Sequence, residues 1–342
     1  MSLELGLDTF GDVTSGADGK PLPHAQVIRD VVEQAVVADE VGVDFFGVGE
    51  HHRADFAVSA PEVVLAAIAA RTKRVHMGTA VTVLSSDDPV RVFQRFSTVN
   101  AIANGRAEAI LGRGSFTESF PLFGYALKDY EKLFEEKLDL FAALIAGESV
   151  TWSGETRSPL NNQRVFPSLE TKLTTWVGVG GSPESVLRAA KHNLPLMIAI
   201  IGGEPHRFRP FVEIHNRVYR EMGKPPAPVG VHSPGYVADT DERAREEFWP
   251  SYKGMRDRIG AERGWPPMRR EEYDREIAVG SLYVGSPETV AKKIASTAAG
   301  LGVSRFDLKY SAGALSHGNI MRCVELYGTK VIPLAREILA RG

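Results

Sequence analysis

The chain has 342 residues, 43% hydrophobic and 24% charged, with a net charge of -3. This balance suits a large α/β protein with a sizeable core. It argues against nucleic-acid and membrane-surface partners, and no apolar run is long enough to span a bilayer. The single cysteine, Cys323, excludes an intrachain disulfide and a cysteine-rich metal site.

Leu3 to Phe10 alternates as a strand and runs into a Gly/Asp/Ser/Pro-rich loop ending at Pro23. Met1-Ser2-Leu3-Glu4-Leu5 lacks the basic and apolar runs of an export signal, so a cytoplasmic location is expected. Apolar residues at Val27, Ile28, Val31, Val32, Ala35, Val36 and Ala38 recur at helical spacing until Gly42. Asp44 to Val48 is a second strand. Ser59 and Glu62 are spaced as a capping box for a helix to about Arg71. Val75 to Leu84 is a third strand, Asp88-Pro89 opens a helix to Asn104-Gly105, and Arg106 to Gly112 is a fourth strand. A long helix covers Asp129 to Ala146.

Gly147 to Lys172 breaks the rhythm with turn residues and reads as an insertion with short strands. Strands then follow at Thr174–Val179, Leu196–Ile201 and Pro228–Ala238, with helices over Pro183–His192, Glu204–Met222 and from Thr240 to about Arg258. Gly264 to Gly280, charged and containing Pro266-Pro267, reads as a second insertion. Ser286 starts a helix to Ala299, Phe306–Tyr310 is the last strand, and Ile320–Leu339 is a closing helix. Eight strands, each followed by helix, predict one closed (β/α)8 barrel over residues 1–342, with insertions after strands 4 and 7.

In such a barrel, polar residues at carboxyl ends of strands form the active site. Three stretches qualify. Glu50-His51-His52 ends the second strand, and a histidine there works as a general acid or base with a carboxylate beside it. Adjacent side chains diverge and no second ligand cluster accompanies them, so no metal is expected. Gly112-Arg113-Gly114 offers close backbone approach and a guanidinium fork suited to phosphate, though it also reads as a turn with a solvated arginine. Gly178 to Ser185 runs from strand into helix, where free N–H groups bind phosphate. It is neither a dinucleotide fingerprint nor a Walker loop, and Ser182 also reads as a plain N-cap. Together these stretches point to a phosphorylated cofactor. His76, His192, His206, His215 and His232 stand singly on ordinary elements and read as hydrogen-bonders, and Cys323 as packed in the last helix. The charged runs Asp241–Glu247 and Arg269–Glu276 read as solvated faces, the second also as part of a flap.

An ordered set of motifs resembles the bacterial luciferase-like, flavin-dependent monooxygenases over nearly the whole chain. It comprises Gly47-Val48-Gly49-Glu50-His51-His52, Gly78 to Leu84 with Asp88-Pro89-Val90-Arg91, Asn104-Gly105-Arg106, Gly112-Arg113-Gly114, Val179 to Pro183, Gly285 to Glu288 and Val331-Ile332-Pro333. The Glu-His-His form points to the luciferase branch more than to the branch using the deazaflavin F420.

The resemblance implies a single barrel, normally a homodimer, that binds reduced FMN at its carboxyl face. A separate NAD(P)H:flavin reductase often supplies the flavin. Oxygen adds to give a flavin C4a-peroxide, which attacks a small organic substrate. By position, His51 matches the catalytic histidine, flanked by His52 and Glu50. Arg113, Gly181, Ser182 and Ser185 match the phosphate contacts. Ala80 and Val81 match the strand end under the isoalloxazine, where members carry a non-prolyl cis bond. Where luciferase has a reactive cysteine this chain has Gly112, so light emission is not expected, and the glycine is expected to open room beside the flavin. Use of F420 for hydride transfer, or flavin binding without catalysis, are the alternatives. Substrate walls are expected from the loop after Phe10, from Phe116–Tyr125 and from both insertions.

Overall fold

The computed structural model describes residues 3–16 and 18–341. Eight parallel strands form its centre: β1 (Glu4–Thr9), β2 (Phe45–Val48), β3 (His76–Thr79), β4 (Ala107–Gly112), β5 (Thr174–Val179), β6 (Leu196–Ala199), β7 (Val229–Val237) and β8 (Arg305–Lys309). Each pairs with the next, and β8 pairs back onto β1 with Glu4 opposite Arg305 and Asp8 opposite Lys309, which closes the barrel. Closure leaves none of these eight strands with a free edge.

The two-residue period sorts side chains between two separate apolar regions. Leu5, Leu7, Phe46, Val48, Ala109, Leu111, Phe306 and Leu308 join the large core between strands and helices. Phe45, Ile110, Trp176 and Met197 form a second cluster. Beside it the buried Arg305 donates two bonds to Glu108, at 2.7 and 3.0 Å, and its guanidinium lies 4.2 Å from the centre of the Phe45 ring. Trp176 Nε1 adds a third donor at 2.8 Å. Burial by itself would raise the Glu108 carboxyl, but the charge of Arg305 and the bonds from His76 and Arg305 outweigh it and bring it down to about 2.

Helices start where local chemistry satisfies their first amides. Asp88 accepts from the amides of Val90 and Arg91, with Pro89 as the first helical residue. Ser182, Thr240, Ser286 and Ser316 cap helices in the same way. The expected box at Ser59 does not form. The helix Pro61–Arg71 starts after Ala60 without a side-chain cap, and Glu62 is instead buried with its carboxylate 3.5 Å from Arg95.

Residues 150–163 carry an antiparallel ribbon, Val150–Trp152 with Leu160–Gln163. The charged stretch after Gly264 holds the helix Arg270–Ala278, packed through Tyr273 and Ile277 rather than lying as a solvated face. The preceding helix runs on to Arg263, five residues past the expected end. The closing helix is interrupted by a π-turn at Tyr327–Val331, and Cys323 is buried before it with its sulfur 3.3 Å from the Val237 amide. Among the described residues no helix is long and apolar enough to cross a membrane.

Candidate active site

The three polar residues after β2 lie in the loop beyond the strand and turn to different partners. Glu50 and His52 turn together: Glu50 Oε1 lies 2.9 Å from His52 Nε2, and Oε2 accepts the amide of Val83 at 2.8 Å. That second bond ties the loop after β2 to the short strand Thr82–Val83. The His52 ring meets Phe123 edge-on at 5.2 Å. His51 goes the other way, into a box of Phe10, Phe56 and Phe116 at ring distances of 4.7, 4.5 and 5.1 Å. Its Nε2 is buried and has no partner among the described residues. Burial drives the His51 imidazole down to about 3, against the pull of Asp12, so the ring is neutral at physiological pH.

His51 forms part of the wall of a cavity of about 790 Å³ that also touches Glu50, His52, Ala80, Val81 and Arg113. All sit at carboxyl ends of strands, where the barrel backbone converges. The Ala80–Val81 peptide bond is cis, as the resemblance implied. The expected opening at Gly112 is absent. A Cβ there would lie 2.5 Å from Val81 Cγ2, so the Val81 side chain already fills that space. The walls also differ from expectation. Phe116, Glu118 and Ser119 contribute, as do Trp265, Met268 and Glu272, but the described residues of the loop after Phe10 and of the 147–172 segment do not. The helix Asp241–Arg263 supplies Tyr252, Met255, Arg256, Ile259 and Arg263 in their place. Arg53 pairs with Glu118 and Glu262, joining the loop after β2, the loop after β4 and this helix.

Arg113 connects the cavity to the turn after β5. Its Nη2 donates to Ser185 Oγ at 3.3 Å, and Ser185 Oγ is 2.8 Å from Ser182 Oγ. Gly181 precedes them with φ +101°, a backbone conformation natural only to glycine. Gly181, Ser182 and Ser185 do not themselves touch the cavity, which reaches Gly180 and Arg113. Arg188, one turn into the helix Pro183–Lys191, was not visible as a candidate from sequence. It and Arg113 both pair with Glu131, and Arg188 Nη1 is buried with no partner among the described residues. The signal that reveals it is positional: Arg188 lies three residues after Ser185 on the same helix face.

Asp8, His232, Asp307 and Lys309 also line the cavity. His232 is a hydrogen-bonder, as expected, and its partner is another residue of the cavity wall. Its Nδ1 is 2.7 Å from Asp8 Oδ2. Lys309 is held by Asp12 at 2.8 and 3.0 Å. The alternation Leu5-Gly6-Leu7-Asp8 places a carboxylate on the inward phase of β1, and that pattern is the signal for it in the sequence. Among the described residues no cluster of three or more His, Cys, Asp or Glu side chains is placed to hold a metal ion.

The alkanal monooxygenase alpha chain of Photobacterium leiognathi is 25% identical over 346 aligned positions, which cover 92% of this chain and 95% of that relative. Among solved structures, the oxygenating constituent of 3,6-diketocamphane monooxygenase of Pseudomonas putida, in complex with FMN, superposes with a TM-score of 0.76 at 20% identity, covering 97% of this chain and 99% of that one. An F420-dependent secondary alcohol dehydrogenase, in complex with an F420–acetone adduct, gives 0.72 at 19% identity over 98% and 99% of the two chains. At such identities the two structures speak for the fold alone, and the cofactors are theirs. The sequence family whose members are luciferase-like monooxygenases matches residues 9–305, and the chain belongs to it.

Proposed function

We propose that the protein is an FMN-dependent monooxygenase that uses reduced FMN and O2 to oxidise a small organic substrate without emitting light. The observation that carries this reading is the one cavity of about 790 Å³ shared by His51, the Ala80–Val81 segment and Arg113. Its size suits a ring system together with a small molecule.

The residues present fit a phosphorylated flavin. Arg188 Nη1 is a buried donor without a hydrogen-bond partner among the described residues, and Glu131, which now pairs with both Arg113 and Arg188, has a side chain 58% exposed. In this reading Arg113, Arg188, Ser182 and Ser185 hold the phosphate, and the φ of Gly181 sets the turn that presents the two serines. Ala80 and Val81 form wall for the ring system. Reduced FMN, when bound, supplies the electrons that activate O2. His51 offers a neutral imidazole in an aromatic box that excludes water, suited to hydrogen bonding with a polar group of the reactants. Glu50 and His52 hold the loop that carries it. A separate NAD(P)H:flavin reductase and a homodimeric state complete the proposal.

The test is anaerobic titration with FMNH2 and with reduced F420, followed by oxygen. Tight binding of FMNH2, and oxygen uptake faster than autoxidation of free flavin that is lost in His51→Ala while FMNH2 still binds, are expected. Binding of F420 in place of FMNH2 points instead to hydride transfer, and uptake at the free-flavin rate to a non-catalytic carrier. Either result overturns the proposal.

A further inference from the structure

His232 projects from β7 into the cavity, two strands beyond β5 around the barrel. Among the described residues its ring makes one hydrogen bond, from Nδ1 to Asp8 Oδ2 at 2.7 Å. A carboxylate only accepts, so Nδ1 carries the proton and the neutral ring presents its lone pair at Nε2. The Phe10 ring stacks on it at 5.9 Å with 13° between planes, which holds the imidazole plane. A histidine kept only for packing would not lie on a cavity surface with one nitrogen free.

The surrounding charges favour a proton arriving at that nitrogen. Asp8 is 1% exposed, and among the described residues its Oδ1 has no hydrogen-bond partner. On β8 the register partner of His232 is Asp307, buried and facing the same cavity; among the described residues its Oδ1 has no hydrogen-bond partner, with Arg305 Nε at 4.0 Å. Burial pushes the Asp307 carboxyl well above the usual range, against the pull of Arg305, and so disfavours its charged form. Lys309 is already matched by Asp12. On β6 the register partner is the uncharged Ala199. Asp8 is therefore the carboxylate that faces a developing imidazolium.

We propose that His232 is a general base, oriented by Asp8, that takes the proton of a substrate hydroxyl, and that the substrate is a phenol or enol. In this step the substrate O–H bond breaks, an N–H bond forms at Nε2, and the electron pair stays on oxygen. The imidazolium then lies between the new oxyanion and the Asp8 carboxylate, and the proton returns to the product oxygen before release. A phenolic or enolic hydroxyl is acidic enough to pass its proton to an imidazole, whereas an alkyl alcohol is not. Phe10, Phe56, Phe116 and Trp265 line the cavity with the flat apolar faces that an aromatic ring requires.

The inference rests on the cavity being the substrate site of the proposed monooxygenase, and its test avoids flavin. 4-Nitrophenol, whose phenolate is visibly yellow, is titrated into the cofactor-free protein. The wild type is expected to bind it as phenolate and to lower its apparent pKa by about one unit, a tenfold shift in ionisation. His232→Gln and Asp8→Asn are expected to abolish that shift. Should His232→Gln fail to fold, Asp8→Asn and the imidazole ¹⁵N shifts of the wild type carry the test, the latter expected to show the Nδ1–H form. A bound spectrum unchanged in folded His232→Gln or Asp8→Asn, no binding of 4-nitrophenol to the wild type, or an Nε2–H ring each overturns the assignment. Failure of the wild type to bind FMNH2 instead sinks the monooxygenase reading and leaves the phenolate result standing, so the two failures are distinguishable.

Discussion

The guanidinium of Arg113 donates to the hydroxyl of Ser185 at 3.3 Å, joining the end of β4 to the first turn of the helix after β5. In the proposed phosphate site this contact holds the fork of Arg113 towards the turn. Replacing Arg113 by Ala is expected to remove one charge-assisted contact worth about 1.5–3 kcal/mol and so weaken FMN binding roughly ten- to a hundredfold. Lysine at this position is expected to recover only part of the loss, because an ammonium lacks the planar fork. Fluorescence quenching of FMN measures both.

Glu131 competes for the same arginines. Glu131→Gln removes the competing charge while preserving length, and is expected to tighten FMN binding about two- to fivefold, the scale of an exposed ion pair. Unchanged or weaker binding in the same titration would place the phosphate elsewhere.

His51 is buried and neutral, with its imidazole lowered to about 3 from an ordinary 6.5. Below pH 6.5 the unfolded chain takes up a proton that the folded ring refuses until about 3, so this residue's contribution to stability is full above 6.5 and falls as the pH drops towards 3. His51 NMR signals are expected not to titrate between about pH 8 and pH 5. Denaturant unfolding of His51→Phe is expected to lose this part of the pH dependence.

Glu108 sits among Arg305, His76 and Trp176 with its carboxyl at about 2. A lowered carboxylate stabilises the fold above its unfolded value of 4.5, and that contribution is lost as the pH falls through 4.5 to about 2. Glu108→Ala leaves the buried Arg305 without its main partner and is expected to cost about 3–5 kcal/mol in chemical denaturation.

Val81 occupies the space beside Gly112. Gly112→Cys is expected to destabilise the protein by about 1–3 kcal/mol through overpacking, and Val81→Ala in the same chain to relieve most of that cost. Thermal melts of the single and double variants decide it.

The barrel was legible in the sequence because its cause is local. Each strand shows its two-residue period or apolar run, each helix its three-to-four spacing, and Gly or Pro marks the joints, as at Gly42 and Asp88-Pro89. The same logic exposed Glu50-His51-His52 and Gly112-Arg113-Gly114, because polar residues that terminate an apolar strand stand out in one dimension. Ser59 failed as a cap for a related reason. Its spacing to Glu62 was right, but burial of Glu62 near Arg95, over thirty positions along the chain, outweighed the local preference.

What the sequence by itself determined, then, is the alternation of strand and helix, the family, and which strand ends carry polar groups. Tertiary structure alone decided which of those groups meet. Asp8 and His232 are separated by most of the chain and become neighbours only because β8 closes onto β1 and β7 packs beside it. Arg188 joins Arg113 through Glu131 on a third element. The space at Gly112 was filled by Val81 from another strand, which no spacing rule foretells. The neutrality of His51 likewise comes from burial among rings contributed by three separate segments. Proximity across the barrel and loss of water are properties of the closed fold, and no local pattern encodes them.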